Sequence, residues 1–225
     1  METNKNTEQE NMESDMNDRG GSPLQGVGGV GIVNYGAGNI FSLTAALERQ
    51  NIPFGMINTE EDFDKYSHII IPGVGHAGAA MTKLEQTGLV SKIKSLTKPV
   101  LGICVGMQLL TEHSEEGDAN LLSIIPLKTK LFDKELAIKI PHMGWNTIEF
   151  QNNSLFENVK TGTQFYFVHS YFIEYNPTFD IASVNYGNKF SAAVQKHNFY
   201  GVQFHPEKSG EAGERILKNF SKLKS

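Results

Sequence analysis

Val100-Leu101-Gly102-Ile103-Cys104-Val105-Gly106-Met107-Gln108-Leu109-Leu110 passes from an apolar strand signal into a helix signal, and the only cysteine of the 225-residue chain stands at the junction. Pro99 to Ile103 reads as a buried strand and Val105 to His113 as a helix. A nucleophile held between a strand and a helix needs a sharp, strained turn. Glycine two positions before and two after Cys104 removes side chains that would collide as the chain doubles back. A residue so placed projects at the C-terminal edge of a parallel sheet, where ligands bind in such folds. It also sits at a helix N-terminus, whose partial positive charge favours thiolate over thiol. The same pattern suits a buried, inert cysteine, since free cysteine is among the most buried residue types.

Outward from this junction, short apolar strands alternate with amphipathic helices. Val30 to Val33, Ile52 to Ile57 and His68 to Ile71 read as strands. Ile40, Leu43, Ala46 and Leu47 share one helix face. A single helix is expected from about Ala79 to Leu96, burying Leu84, Leu89, Val90, Ile93 and Leu96. The second half is richer in strands: Leu127 to Phe132, Thr147 to Phe150, Phe165 to Val168, Tyr171 to Tyr175, Ile181 to Tyr186, Ser191 to Gln195 and Phe199 to Phe204. A terminal helix from Ala212 to Lys222 presents Ile216, Leu217 and Phe220. The expected fold is α/β: a mostly parallel central sheet with helices on both faces plus an added antiparallel strand layer.

Residues 1–19 carry six acidic and two basic side chains and no aromatic residue. They cannot bury enough surface to offset their ordering entropy, so 1–29 is expected to be a disordered N-terminal extension and 30–225 the single domain. An apolar content of 39% and a charged content of 20% describe a soluble globular chain. One cysteine forms no intramolecular disulfide, and neither a signal peptide nor a membrane-spanning run is visible, so a cytoplasmic location is expected. A net charge of −5 offers nucleic acid no attraction. Gly26 to Gly31 matches G-x-G-x-x-G but follows a polar tail and runs into a strand, the wrong context for a dinucleotide; Gly36-Ala37-Gly38 has Phe41 where the third glycine belongs. No His/Cys/carboxylate group shows ligand spacing, so neither metal nor cofactor is expected.

A thiolate nucleophile needs a base and a group that orients it. Gly201-Val202-Gln203-Phe204-His205-Pro206-Glu207-Lys208-Ser209 offers both. Residues two apart in extended chain point the same way, and Pro206 stiffens the link, so His205 and Glu207 can face one site. Imidazole moves protons at neutral pH, and an adjacent carboxylate selects its tautomer. Glycines just past a strand, as in Pro72-Gly73-Val74-Gly75, let backbone N–H groups approach an oxyanion. Gln108 lies one helical turn beyond Cys104, on the same face.

With these elements in this order, the sequence resembles the triad-type (class I) glutamine amidotransferases, and more narrowly the glutaminase subunits of imidazole glycerol phosphate synthases. Further matching segments are Ile32 to Asn39, Ser114 to Gly117, Pro141 to Asn146 and Phe167 to Tyr171, so the likeness covers the chain from about Val30 to its end. It departs from the family in its 29-residue lead and in Asn120 to Pro126, which lacks a glycine often found before that apolar stretch.

The resemblance implies Cys104 as nucleophile, His205 as base and Glu207 as its orienting carboxylate. Gly73, Val74 and Val105 would supply the oxyanion hole, and Gly75, Gln108, His169, Ser170 and Tyr171 would bind L-glutamine. A γ-glutamyl thioester would be hydrolysed to glutamate. Ammonia would pass to a cyclase subunit of (β/α)₈-barrel type in a heterodimer, with no membrane or nucleic acid involved. Asn34, Tyr35, Asn39, Trp145 and Lys208 are expected at the partner-facing mouth, since a Gly-Trp pair suits an exposed aromatic anchor. Three readings stand beside this one: the same chemistry feeding sugar amidation, a partner-binding module without catalysis, and a cysteine peptidase.

Overall fold

A computed structural model describes residues 28–133, 135 and 138–224. The expected disordered extension therefore lies outside the described residues, apart from Gly28 and Gly29. The strands are β1 (Val30–Val33), β2 (Phe54–Ile57), β3 (His68–Ile71), β4 (Val100–Ile103), β5 (His113–Ser114), β6 (Ala119–Asn120) and β7 (Lys128–Leu131), followed by β8 (His142–Thr147), β9 (Glu149–Phe150), β10 (Gln164–His169), β11 (Tyr171–Glu174), β12 (Asp180–Tyr186), β13 (Asn188–Lys196) and β14 (Phe199–Val202). The helices are α1 (Ile40–Arg49), α2 (Ala77–Gln86), α3 (Val90–Lys94), α4 (Val105–Leu109) and α5 (Gly210–Phe220).

The main sheet runs β2-β1-β3-β4-β14-β13-β11-β7-β5-β6, with β12 beside β13 and β9 beside β12. Its first five strands pair in parallel. Buried on both faces, β1 and β4 read as unbroken apolar runs and β3 as one after its leading His68, which is why they were legible in the sequence. The antiparallel additions around β13 continue the same sheet, whereas β8 and β10 form a separate pair. The α/β reading holds.

One join positions everything that follows. The last strand, β14, enters the sheet in parallel beside β4, with Val202 opposite Ile103. Residues a hundred positions apart in sequence therefore leave the sheet side by side. On the other flank of β4, β3 pairs Ile71 with Gly102. The ends of β3, β4 and β14 thus carry the Pro72–Gly75 loop, Cys104 and the His205–Glu207 turn to one edge.

The expected helix over 79–96 is two helices. Gly88 adopts a left-handed φ of 75° and stops the first, while the Thr87 hydroxyl accepts from the Leu89 N–H at 3.2 Å. Leu84, Leu89, Ile93 and Leu96 are still buried because the second helix resumes the same face; Val90 is half-buried. The helix after Cys104 ends at Leu109 rather than His113. There the chain 122–125 donates to the Leu109 and Leu110 carbonyls, and His113 pairs with Lys128.

A third difference lies in β8, which begins at His142 where the strand was expected from Thr147. Its residues alternate inward and outward, but Gly144 and Asn146 hide that period. Partner β10 supplies the missing signal, pairing His142 with His169 and Trp145 with Tyr166.

Candidate active site

Cys104 has φ 54° and ψ −111°, a strained conformation for any residue with a side chain. The surroundings impose it. Its N–H donates to the Val202 carbonyl at 2.8 Å, and its carbonyl accepts from Met107 at 3.0 Å and Gln108 at 3.2 Å. Both flanking glycines are sterically required: a Cβ on Gly102 would lie 2.4 Å from the Gly106 oxygen, and one on Gly106 would lie 1.9 Å from the Ile71 oxygen. The turn anticipated from Gly-x-Cys-x-Gly is thus present, and Cys104 lines a cavity of about 410 Å³.

His205 lines the same cavity and is 1% exposed. Its Nδ1–H donates to Glu207 Oε1 at 2.7 Å, from within a short 3₁₀ turn that begins at Pro206. That bond leaves Nε2 to face the cavity, buried and without a partner among the described residues. Burial alone would disfavour a charged ring. The hydrogen bond to Glu207, with the charges of the nearby Cys104 and Glu207, outweighs that penalty and holds His205 up at about 10. A group so placed stabilises a thiolate beside it.

Gly75, Gln108, His169, Ser170 and Tyr171 all line the cavity, as does Val105. Gln108 spends its amide nitrogen on the Tyr171 carbonyl and on Gln203 Oε1, each at 3.1 Å. Its own Oε1 is buried and free of partners among the described residues, an open acceptor. His169 donates from Nδ1 to the same Tyr171 carbonyl at 2.7 Å and accepts at Nε2 from His142 Nδ1 at 3.0 Å. Asn146 completes the chain by donating to His142 Nε2 at 3.3 Å. A carbonyl can only accept, so one tautomer runs along the whole chain. Burial pushes His142 down to about 4; burial and the neighbouring His142 charge push His169 to about 3.

Gly73 packs on the start of α4, where a Cβ would meet the Gly106 nitrogen at 2.6 Å. Its neighbour Val74 is exposed and lines the cavity. The two segments expected to share an oxyanion hole are therefore adjacent.

Trp145 is 55% exposed. Its ring meets Tyr166 edge-on at 6.1 Å, and the Lys208 ammonium lies 5.9 Å from the same Tyr166 ring. Asn39 lines the cavity while capping α1 through the Ser42 N–H. Asn34 is exposed and bonds to Asn58 at 2.9 Å. Tyr35 is a correction. Expected at the mouth, it is 4% exposed, and its hydroxyl donates to the Pro72 carbonyl. Burial and the nearby Cys104 charge push that phenol well above its ordinary range. An aromatic ring in a loop gives no sequence cue to which way it turns.

Four residues that matter here escaped the sequence reading. Glu116 lines the cavity and accepts from the Ala77 N–H at 2.6 Å. Phe41 at 69% and Met143 at 58% are, like Val74 and Trp145, large apolar side chains left exposed. Gln203, fully buried, donates to the Cys104 sulfur at 3.7 Å. Glu116, Met143 and Gln203 lie inside segments that match the family, but nothing in their spacing singled them out.

A thiol on a strained strand-to-helix turn, with an imidazole and a carboxylate delivered by the neighbouring strand, defines a class, and comparison with known proteins agrees. The chain belongs to the class-I glutamine amidotransferase family, whose model matches residues 32–223, and it is an enzyme of that kind. It is 46% identical to imidazole glycerol phosphate synthase subunit HisH of Bacteroides thetaiotaomicron, over 86% of this chain and 99% of that one. Subunit HisH 2 of Legionella pneumophila (strain Paris) is 43% identical over 87% of this chain and 98% of its own. Among solved structures, PurLQS from Thermotoga maritima superposes with a TM-score of 0.63 at 18% identity, covering 88% of this chain and 98% of that one. A structure described as glutamine amidotransferase gives 0.65 at 16%, covering 85% and 96%. At such identities the structural likeness speaks for the fold.

Proposed function

We propose that this chain is the cytoplasmic glutaminase subunit of an imidazole glycerol phosphate synthase, working with a cyclase subunit of (β/α)₈-barrel type. Cys104 and His205 on one cavity wall, with Glu207 bonded to the imidazole from behind, support the reading. The Cys104 thiolate attacks the side-chain amide carbon of L-glutamine. Negative charge moves to the carbonyl oxygen, met by N–H groups of Val105 and the Gly73-Val74 segment. As the C–N bond breaks, His205 gives its proton to the leaving ammonia, and a γ-glutamyl thioester remains. Water then attacks, losing its proton to His205, and glutamate departs with the sulfur restored. Throughout, Glu207 keeps Nδ1 protonated so that Nε2 does the work.

The cavity also suits the substrate's other end. The Glu116 carboxylate complements an α-ammonium, and Gln108 Oε1 accepts from an N–H donor. Ammonia released into water would become ammonium and be lost to amidation, so the mouth must be covered by the partner. Trp145, Met143, Phe41 and Val74 provide the apolar surface for that contact, with Asn34, Asn39 and Lys208 as its polar members.

The test is cyclase turnover with purified barrel partner. Cys104→Ala is expected to abolish glutamine-driven turnover while leaving ammonium-driven turnover of the complex intact. Glutamine-driven turnover surviving in that variant would sink the assignment. Coupling to a sugar-amidating synthase in place of the cyclase would replace the named partner and keep the chemistry.

A further inference from the structure

We propose that Gln203 is a second hydrogen-bond donor to the Cys104 sulfur, acting beside His205 to hold the nucleophile as an oriented thiolate. The inference rests on Cys104 being the nucleophile. Gln203 follows β14 directly, and β14 pairs with β4, so its side chain comes out next to Cys104. It is fully buried, and its backbone N–H is taken by the Ala192 carbonyl at 2.8 Å, which anchors the residue.

The orientation of its amide follows from its neighbours. The Tyr171 carbonyl can only accept, so Gln108 must turn its nitrogen toward it. The second N–H of that nitrogen then meets Gln203 at 3.1 Å, where only an oxygen is tolerated. With Oε1 so committed, Gln203 Nε2 faces the sulfur at 3.7 Å. Rotating the amide by half a turn would set two N–H groups of the glutamines against each other and an oxygen against the thiolate. His169 bonds the same Tyr171 carbonyl at 2.7 Å and helps to keep it in place.

Such a donor has a definite chemical effect. A hydrogen bond strengthens when its acceptor is charged, so it favours thiolate over thiol. It also leaves the sulfur a narrower range of rotamers, held 4.0 Å from the Val168 carbonyl. The buried amide is neutral, so it steadies the ion without placing a second charge beside imidazolium.

The experiment uses the full chain, whose single cysteine makes alkylation by iodoacetamide report on Cys104 alone. Gln203→Met keeps length and volume and removes the donor. Loss of a hydrogen bond to a charged group is worth about one pH unit or more. The midpoint of alkylation rate against pH is therefore expected to rise by about one unit, and glutaminase kcat in the complex to fall about tenfold. A merely structural role would leave that midpoint in place. Gln203→Glu keeps the shape and the contact to Gln108 while presenting oxygen to the sulfur, and should raise the midpoint at least as far; it carries the test if the methionine variant does not fold. A folded variant alkylated along the wild-type profile overturns the proposal. Glutaminase activity surviving in Cys104→Ala would instead remove the nucleophile assignment on which it rests, so the two failures are distinguishable.

Discussion

Acidification should destabilise this protein through the buried histidine pair, and the size of the effect follows from the site. His142 lies 3% and His169 6% exposed; they bond to each other, and both are neutral in the fold. Their folded values are about 4 and about 3, against 6.5 for the free side chain. A histidine lowered on folding takes up its proton only in the unfolded chain once pH drops below 6.5. Its contribution is thus complete above 6.5 and is lost as pH falls toward the folded value. At pH 5 each histidine is about 1.5 units into that window, or about 2 kcal/mol, so the pair costs about 4 kcal/mol relative to pH 7. Asp180 opposes this. Burial raises it to about 6 in the fold, so it gains about 1 kcal/mol of stability over the same interval. His68, also lowered by burial, adds to the loss. His205, raised to about 10, gains about 1 kcal/mol over the same interval, so the pair's loss exceeds these gains by about 2 kcal/mol before His68 is added. Urea unfolding at pH 7 and pH 5 measures the balance. His142→Gln retains an N–H donor toward His169 but does not titrate, so its loss between the two pH values should be smaller by about 2 kcal/mol. Asp180, His205 and His68 cancel in that difference. Equal acid losses in wild type and variant would show that the pair is not held neutral and would refute the reasoning.

Two further outcomes separate surface from interior around the mouth. Trp145→Ala removes an exposed ring that packs on Tyr166. It should weaken the subunit complex by about 2 kcal/mol, roughly thirtyfold in Kd by titration calorimetry, with little change in the stability of the isolated chain. Undiminished affinity would take Trp145 out of the interface. Tyr35→Phe should do the reverse, because its hydroxyl is buried on the Pro72 carbonyl and does not reach the mouth. A loss of about 1–3 kcal/mol in folding stability is expected, with partner affinity unchanged; weakened association with normal stability would restore Tyr35 to the interface.

Much of the site was legible because its signals are local. Gly102 and Gly106 announce the turn at Cys104, and the geometry shows that both positions exclude a Cβ. His205 and Glu207 are two residues apart, and their contact needs only the turn that Pro206 begins. The parallel strands were readable for a related reason: burial on both faces leaves no polar position in β1 or β4, and only the leading His68 in β3. Errors arose where a neighbour decided the outcome. Gly88 interrupts a periodic pattern that continues beyond it, and β8 becomes a strand through β10.

The amino-acid order by itself determined the class of chemistry, the alternation of strands and helices, and the identity of the three catalytic candidates, because each is written in residue types a few positions apart. Tertiary structure alone decided that β14 lies beside β4, and with it the meeting of His205 and Gln203 with a sulfur a hundred residues away. It alone turned Tyr35 inward, Trp145 outward, and ran a single hydrogen-bond direction from Asn146 to Tyr171. The physical reason is that side-chain direction and amide orientation are set by partners across strands. Pairing register has no counterpart in the spacing of residues along one segment.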